Sequence, residues 1–221
     1  MFISRFLQSL AILFVIMKKV GDNMKIVFQG DSITETRRNK DNPSDCGYGY
    51  VCKILDELEG HEIINQGLSG DRSYEVLKRW DQTIQLKPDI ITLLIGINDV
   101  WKTMSGVHPT NTTEYEKNLR TIIETTKQQL PNTTLILLAP FALNFGFVND
   151  EWIEVLKVEQ QIVKDLGIEY NLNVVDLQAL FDVALNTYDQ KEMFWDGVHP
   201  TDLGHRLISD EVYKTLKPYI K

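Results

Sequence analysis

The stretch DIITLLIG, Asp89–Gly96, narrows the folds open to this chain more than any other. It is a continuous apolar run of strand length, broken only by Thr92. A strand with no polar face must be covered on both sides, which is the condition of a central strand in a parallel sheet. The flanking sequence supplies the covers. KIVFQG (Lys25–Gly30), EIINQG, TLILLAP and NVVDL (Asn173–Leu177) read as four further short strands. Helical patterns separate them. GYVCKILDELEG (Gly49–Gly60) has apolar residues at Val51, Ile54, Leu55 and Leu58, with Gly60 as its C-cap. SYEVLKRWDQTIQL is helical and Pro88 prevents its continuation. TEYEKNLRTIIETTKQQL is a helix, and DEWIEVLKVEQQIVKDLGIEYN is one long helix or two, capped by Asn149 or Asp150. A short helix follows the fifth strand, and DLGHRLISDEVYKTLK closes the chain as an amphipathic helix. Five strands alternating with helices predict an α/β protein with a parallel sheet between helical layers. No linker or composition break divides residues 24–221, which read as one domain. Ligands in such folds bind outside the carboxyl ends of the strands.

Composition limits the partners. Of the 221 residues 43% are hydrophobic and 24% charged, enough for a substantial core, and the formal net charge is −8. That balance disfavours nucleic acid and anionic membrane surfaces and suits neutral small molecules. Cys46 and Cys52 are too few for a disulfide framework and lack paired zinc-ligand spacing, so they read as free thiols. The first 23 residues form an apolar extension. FLQSLAILFVIM (Phe6–Met17) is too short for an ordinary membrane span, which needs about 20 apolar residues, and no small-residue cleavage site follows it. Three readings stay open: a helix packed on the domain or a partner, a weak membrane anchor, or an extension upstream of a shorter protein starting at Met24. The expected location is the cytoplasm, with anchoring or export as the alternative.

Four loops carry chemistry. GDSITE (Gly30–Glu35) puts Ser32 directly after a strand, where its hydroxyl can project into a cleft, although taken alone a helix N-cap at Asp31 or Ser32 is the commoner explanation. GLSGD (Gly67–Asp71) offers glycines that let backbone approach a ligand, or simply turn the chain. GIND (Gly96–Asp99) brings Asn98, whose side-chain amide can donate to a developing oxyanion. The pentapeptide GVHPT occurs twice, at Gly106–Thr110 and Gly197–Thr201, and each copy holds a histidine. Asp196 stands three residues before His199, whereas Ser105 stands three before His108. A carboxylate at that spacing can fix a ring's tautomer, and serine does so poorly. His199 is therefore the expected base. His108 reads as an exposed loop residue that could touch substrate, His205 as a packing or capping residue, and His61 as surface. Together the loops supply a nucleophile, a base, an orienting acid and oxyanion donors.

From about Lys25 to the last helix, GDSIT, GLSGD, GIND and DGVHP resemble the four blocks of the SGNH, or GDSL-type, esterases and lipases. The resemblance implies a flavodoxin-like three-layer α/β/α sandwich and no metal or organic cofactor. By motif it implies Ser32 as nucleophile, Asp196 and His199 as its partners, and an oxyanion hole made by the Ser32 and Gly70 N–H groups and the Asn98 amide. GYGYV, LKRW, LKPDIITLLIGINDVW and FWDGVHPT are similar to the branch of bacterial acetylxylan and related carbohydrate acetylesterases. Asp71 departs from that branch, where asparagine is common, and adds negative charge beside the oxyanion loop. The expected activity is hydrolysis of small acyl esters, acetyl above all, with an acetylated sugar as the substrate. Asp31, Trp101 and Trp195 are candidate substrate contacts, the tryptophans with core packing as their alternative. A lysophospholipase or thioesterase and an inactive carbohydrate-binding module remain as rivals, and assembly into a homo-oligomer stays open.

Overall fold

The computed structural model describes residues 23–42, 44–107, 109 and 111–220; the apolar stretch at residues 6–17 and His108 lie outside them. Five parallel strands make one sheet: β1 (Lys25–Gly30), β2 (Glu62–Asn65), β3 (Ile90–Leu94), β4 (Thr134–Leu138) and β5 (Asn173–Val175), in the order β2-β1-β3-β4-β5. β3 lies at the centre, as its sequence demands. Strand period divides its run between two cores. Ile90 and Leu94 join Ile26 and Phe28 of β1 on one face, while Ile91 and Leu93 join Leu135 and Leu137 of β4 on the other. Ile90, Ile91, Leu93 and Leu94 are each at most 2% exposed, and full burial of such a side chain stabilises by roughly 1.5–3 kcal/mol.

Eleven helical segments flank the sheet among the described residues. In chain order the α-helices are α1 (Ser32–Glu35), α2 (Tyr50–Lys53), α3 (Ser73–Lys78), α4 (Trp80–Gln85), α5 (Ile97–Ser105), α6 (Thr112–Gln129), α7 (Asp150–Tyr170), α8 (Leu177–Ala184), α9 (Gln190–Met193) and α10 (Asp202–Leu216). A 3₁₀ turn at Leu55–Leu58 is the eleventh. α2, α8 and α10 cover the β1 Phe28 face; α3, α4 and α6 cover the other. The long helix expected after Asn149 is a single one, and Asn149 caps it by accepting from the Trp152 N–H.

Three elements differ from the sequence reading. The segment Gly49–Gly60 starts as α2 and finishes as the 3₁₀ turn, although Val51, Ile54 and Leu58 still face the core. SYEVLKRWDQTIQL is two helices, because neighbouring side chains at the break are wanted in different places. Arg79 reaches Asp71 and the Gly30 carbonyl, while the Trp80 indole turns into the core and donates to Thr126 Oγ1 at 3.0 Å. GIND, read as a loop, opens the nine-residue helix α5.

The strand order places two carboxyl ends side by side. Gly30 of β1 is in register with Leu94 of β3, so the chain leaves both strands level and goes to α1 and α5 respectively. The order reverses direction here, and the crevice outside such a point is where sheets of this type hold ligands. The turn after β3 has little freedom. Gly96 has φ +142°, and a Cβ there would lie 2.8 Å from Glu159 Oε2 and 2.9 Å from both Pro140 Cγ and Tyr115 Oη. Gly96→Ala is expected to destabilise the fold by ~2 kcal/mol or more, from backbone strain and overpacking together. A urea midpoint equal to that of the parent protein would contradict this account of the turn.

Candidate active site

Ser32 is the first residue of α1, so its own N–H has no partner within the helix. The four-residue helix is held from all sides. Asp31 caps it, accepting from the Ile33 N–H at 2.9 Å. Asn65 at the end of β2 donates to the Thr34 carbonyl at 2.7 Å and to the Cys46 carbonyl at 2.9 Å. Beneath it, buried Gln29 accepts from the Gly30 N–H at 3.0 Å and donates to Thr83 Oγ1 at 2.9 Å. The hydroxyl of a serine so mounted has little freedom except its own rotation.

The loop with Asp196 and His199 comes from the far end of the chain, between α9 and α10. It is pinned by the Leu143 N–H, which donates to the Gly197 carbonyl at 2.8 Å, and by the Trp195 N–H, which donates to the His199 carbonyl at 2.9 Å. Gly197 has φ +93°, and a Cβ on it would meet the Phe145 carbonyl oxygen at 2.4 Å, so only glycine allows this approach. Asp196 Oδ1 accepts from the His199 N–H at 2.8 Å and the Val198 N–H at 3.0 Å. Its Oδ2 lies 2.7 Å from His199 Nδ1. Partial burial would raise the Asp196 carboxyl, but these bonds from His199 and Val198 outweigh it and hold the group below its ordinary value. An ionised carboxylate only accepts, so the ring proton sits on Nδ1 and Nε2 offers its lone pair. Nε2 faces Ser32 Oγ at 3.4 Å, longer than a good hydrogen bond but within the range that tightens around a substrate.

The two expected oxyanion loops leave β2 and β3, the strands on either side of β1, and are tied to each other. Asn98, in the first turn of α5, donates from Nδ2 to the Asp71 carbonyl at 2.9 Å, and its second amide hydrogen remains available. Asp99 is fully buried and accepts from the Ser73 N–H at 2.9 Å and hydroxyl at 2.7 Å, fastening α5 to α3. Gly70 is exposed, with φ +85°. Glu35 on α1 reaches the same loop and accepts from the Ser69 N–H. The extra charge expected from Asp71 is compensated by Arg79, whose Nε donates to Oδ2 at 2.7 Å.

A cleft of about 630 Å³ opens beside this arrangement, lined by Ser32, Ser69, Trp195 and His199 together with Tyr48 and His205. Trp195 is 75% exposed, so it is a wall residue and not a core aromatic. Trp101 is different. It is half-buried and packs on Phe147, Trp152 and the His199 ring, at centroid distances of 4.7, 5.3 and 6.2 Å, and it does not line the cleft. Asp31, expected as a substrate contact, is also absent from the cleft wall, because its side chain is turned inward as a helix cap and is 0% exposed. His205, expected to pack or cap, is buried and accepts from the Tyr50 N–H of α2 at 3.2 Å.

Carboxyl groups are buried around the site, and of these sequence analysis named only Asp31 as a candidate, as a substrate contact. Glu159 on α7 is fully buried with neither oxygen hydrogen-bonded, and burial, with Asp99 adding to it, raises its carboxyl well above the ordinary value. Burial likewise pushes Asp99 up to about 6 against the opposing Ser73 bonds. Burial pushes Asp31 up to about 7; the Ile33 N–H opposes this and the nearby Asp99 and Asp71 carboxylates reinforce it. In sequence, an acid in the middle of an amphipathic helix such as Glu159 carries no mark of burial beyond falling on the apolar face.

A family model described as the GDSL-like lipase/acylhydrolase family matches residues 28–207. An acetylxylan esterase of Geobacillus stearothermophilus is 32% identical over 207 residues, spanning 86% of this chain and 93% of its own length. A GDSL esterase/lipase of Arabidopsis thaliana is 27% identical, spanning 87% of this chain and 86% of its own. Among solved structures, Axe2, an acetylxylan esterase from Geobacillus stearothermophilus, superposes with a TM-score of 0.79 at 31% identity, over 89% of this chain and 95% of its own. Two catalytic mutants of Axe2 have also been solved, with an aspartate and a histidine three positions apart each replaced by alanine.

The elevated Asp31 value has a consequence for stability. A carboxyl whose folded pKa lies near 7, above its ordinary 3.8, favours the folded state while protonated and loses that contribution as pH rises through about 7. Asp31→Asn keeps the acceptor for the Ile33 N–H and cannot ionise. Relative to the parent protein, its melting temperature is expected to gain between pH 5 and pH 8 by at least ~2–4 °C, corresponding to ~1 kcal/mol in a chain of this size. A difference that stays constant across that pH range would contradict the assignment.

Proposed function

Since this chain belongs to the GDSL-like lipase/acylhydrolase family and is a carboxylic ester hydrolase, we propose that it removes acetyl groups from carbohydrates through Ser32, His199 and Asp196. The observation that carries the reading is the relay from Asp196 Oδ2 through His199 to Ser32 Oγ, at 2.7 and 3.4 Å. In the proposed cycle, His199 Nε2 takes the Ser32 proton as Oγ attacks the ester carbonyl carbon. Asp196 stabilises the imidazolium that forms. The carbonyl oxygen, now an oxyanion, receives hydrogen bonds from the Ser32 N–H, the Gly70 N–H and the free amide hydrogen of Asn98. Each donor of this kind is worth about 2.7–4 kcal/mol in the transition state. The imidazolium then protonates the leaving alcohol, the C–O bond breaks, and an acyl-serine remains. Water, deprotonated by the same histidine, releases the acid and restores the serine.

Acetyl and carbohydrate are supported by the acetylxylan esterases among the relatives and by the cleft. The cleft is open, and its exposed tryptophan suits a sugar ring better than a flexible acyl chain. Acetyl esters are therefore expected to exceed octanoyl esters in kcat/KM; the reverse order would move the reading to a lipase or lysophospholipase.

Ser32→Ala is expected to abolish turnover while circular dichroism stays native, and a serine-directed phosphonate is expected to label Ser32. Label on another residue would defeat the assignment. The two GVHPT copies give a sharper contrast. His199→Ala is expected to lose several powers of ten in kcat, as in other serine triads, whereas His108→Ala keeps kcat and changes KM at most. A dead His108 variant beside an active His199 variant would show that the aspartate-to-histidine spacing had been misread.

A further inference from the structure

The cleft is larger than an acetyl group requires, and its wall carries three features besides Ser32 and His199. Tyr48 and Trp195 line it and are 74% and 75% exposed, unusual for large aromatics in a folded chain. Most polar groups on the wall are committed to protein partners: Glu35 to the Ser69 N–H and Lys40, Thr201 Oγ1 to the Glu192 carbonyl, and Asp202 to Lys53 and Arg206. His205 is only half committed. Its Nδ1 accepts from the Tyr50 N–H at 3.2 Å, and its Cε1 would lie 3.0 Å from a Cβ placed on Gly49. His205 itself lines the cleft; its Nε2 has no hydrogen-bond partner among the described residues and is not sealed from solvent.

The protonation state follows from the bonding. A backbone N–H can only donate, so Nδ1 must hold a lone pair, and the proton of the neutral ring must be on Nε2. Burial, with Lys53 adding to it, lowers the imidazole to about 4, consistent with a ring that stays neutral through the physiological range. His205 is thus a hydrogen-bond donor of fixed direction and fixed charge, in the same cleft as Ser32 and His199 but taking no part in their proton relay.

We propose that His205 is a specificity-determining residue. Its Nε2–H donates to a ring hydroxyl on the alcohol half of the substrate, while the apolar faces of that ring rest against Tyr48 and Trp195. A site built to pair with a hydroxyl discriminates against alcohols that lack one, because the donor, covered by the bound alcohol, is then left without a partner. The inference rests on the carbohydrate reading above and adds the residue that recognises the alcohol.

Two substitutions separate the functions of the ring's two nitrogens. In His205→Asn the side-chain oxygen can replace Nδ1 as acceptor for Tyr50, but nothing replaces the Nε2 donor. In His205→Gln the amide nitrogen can replace Nε2. Steady-state kinetics are measured with an acetylated methyl xyloside and with p-nitrophenyl acetate, which has no free hydroxyl. The ratio of kcat/KM for the sugar to that for the aryl ester is expected to fall ~5–10-fold in His205→Asn, mostly through KM, and to recover in His205→Gln. Tyr48→Ala, at an exposed position, is expected to lower the same ratio and serves as the test should His205→Asn not fold. Equal losses on both esters in a folded His205→Asn, or an unchanged ratio in Tyr48→Ala, overturns the proposal. A parent enzyme that cleaves p-nitrophenyl acetate but shows no turnover of the sugar overturns the carbohydrate reading and this proposal with it; that failure is visible without any variant.

Discussion

A strand with no polar face cannot sit at the edge of anything, and the rest of the molecule is arranged around that constraint. β3 needs a parallel neighbour on each side and a helical layer on each face, and β1, β4 and the two cores supply them. Parallel pairing in turn sends every strand's carboxyl end the same way. The level ends of β1 and β3 put Ser32 and Asn98 on adjacent turns before any side chain has been chosen for catalysis. The site is thus a consequence of sheet order, and the chemistry is written on loops that the sheet has already gathered.

Those loops are held by polar bonds that cost something to bury. Asp31, Asp99 and Glu159 are carboxyl groups inside the protein, each raised in pKa chiefly by burial. Asp31 and Asp99 have clear structural partners: one caps α1 and the other joins α5 to α3. Their burial at the turns that carry Ser32 and Asn98 trades stability at high pH for turns that cannot drift. Asp196 is the opposite case. It also sits partly out of solvent, yet three donors hold its carboxyl low, so it remains an anion beside the imidazole that needs one. Environment alone gives these aspartates different work.

The parallel sheet, the existence and order of its strands along the chain and the pairing of Asp196 with His199 were legible because each depends on local spacing: an unbroken apolar run, or a carboxylate three positions from a ring. What escaped depends on distant partners. Nothing local says that Arg79 must reach Asp71 and so break its helix, or that the GIND loop continues into nine helical residues. Asp31 and Trp101 stand beside functional motifs, and proximity in sequence suggested contact with substrate. The structure turns the first inward as a cap and packs the second against the flank of His199. His205 was readable as a cap; that its Nδ1 is taken by the Tyr50 N–H, more than 150 residues earlier, was not.

The proposed relay requires a covalent acyl-enzyme on the serine held by the β1 turn. It is tested most directly by mixing the protein with an acetylated sugar, quenching in acid within the first turnover, and mapping the peptides by mass spectrometry. An acetyl group is expected on the peptide carrying Ser32, in proportion to the burst of released alcohol. An acetyl group on any other residue, or a burst without modification of that peptide, would contradict it.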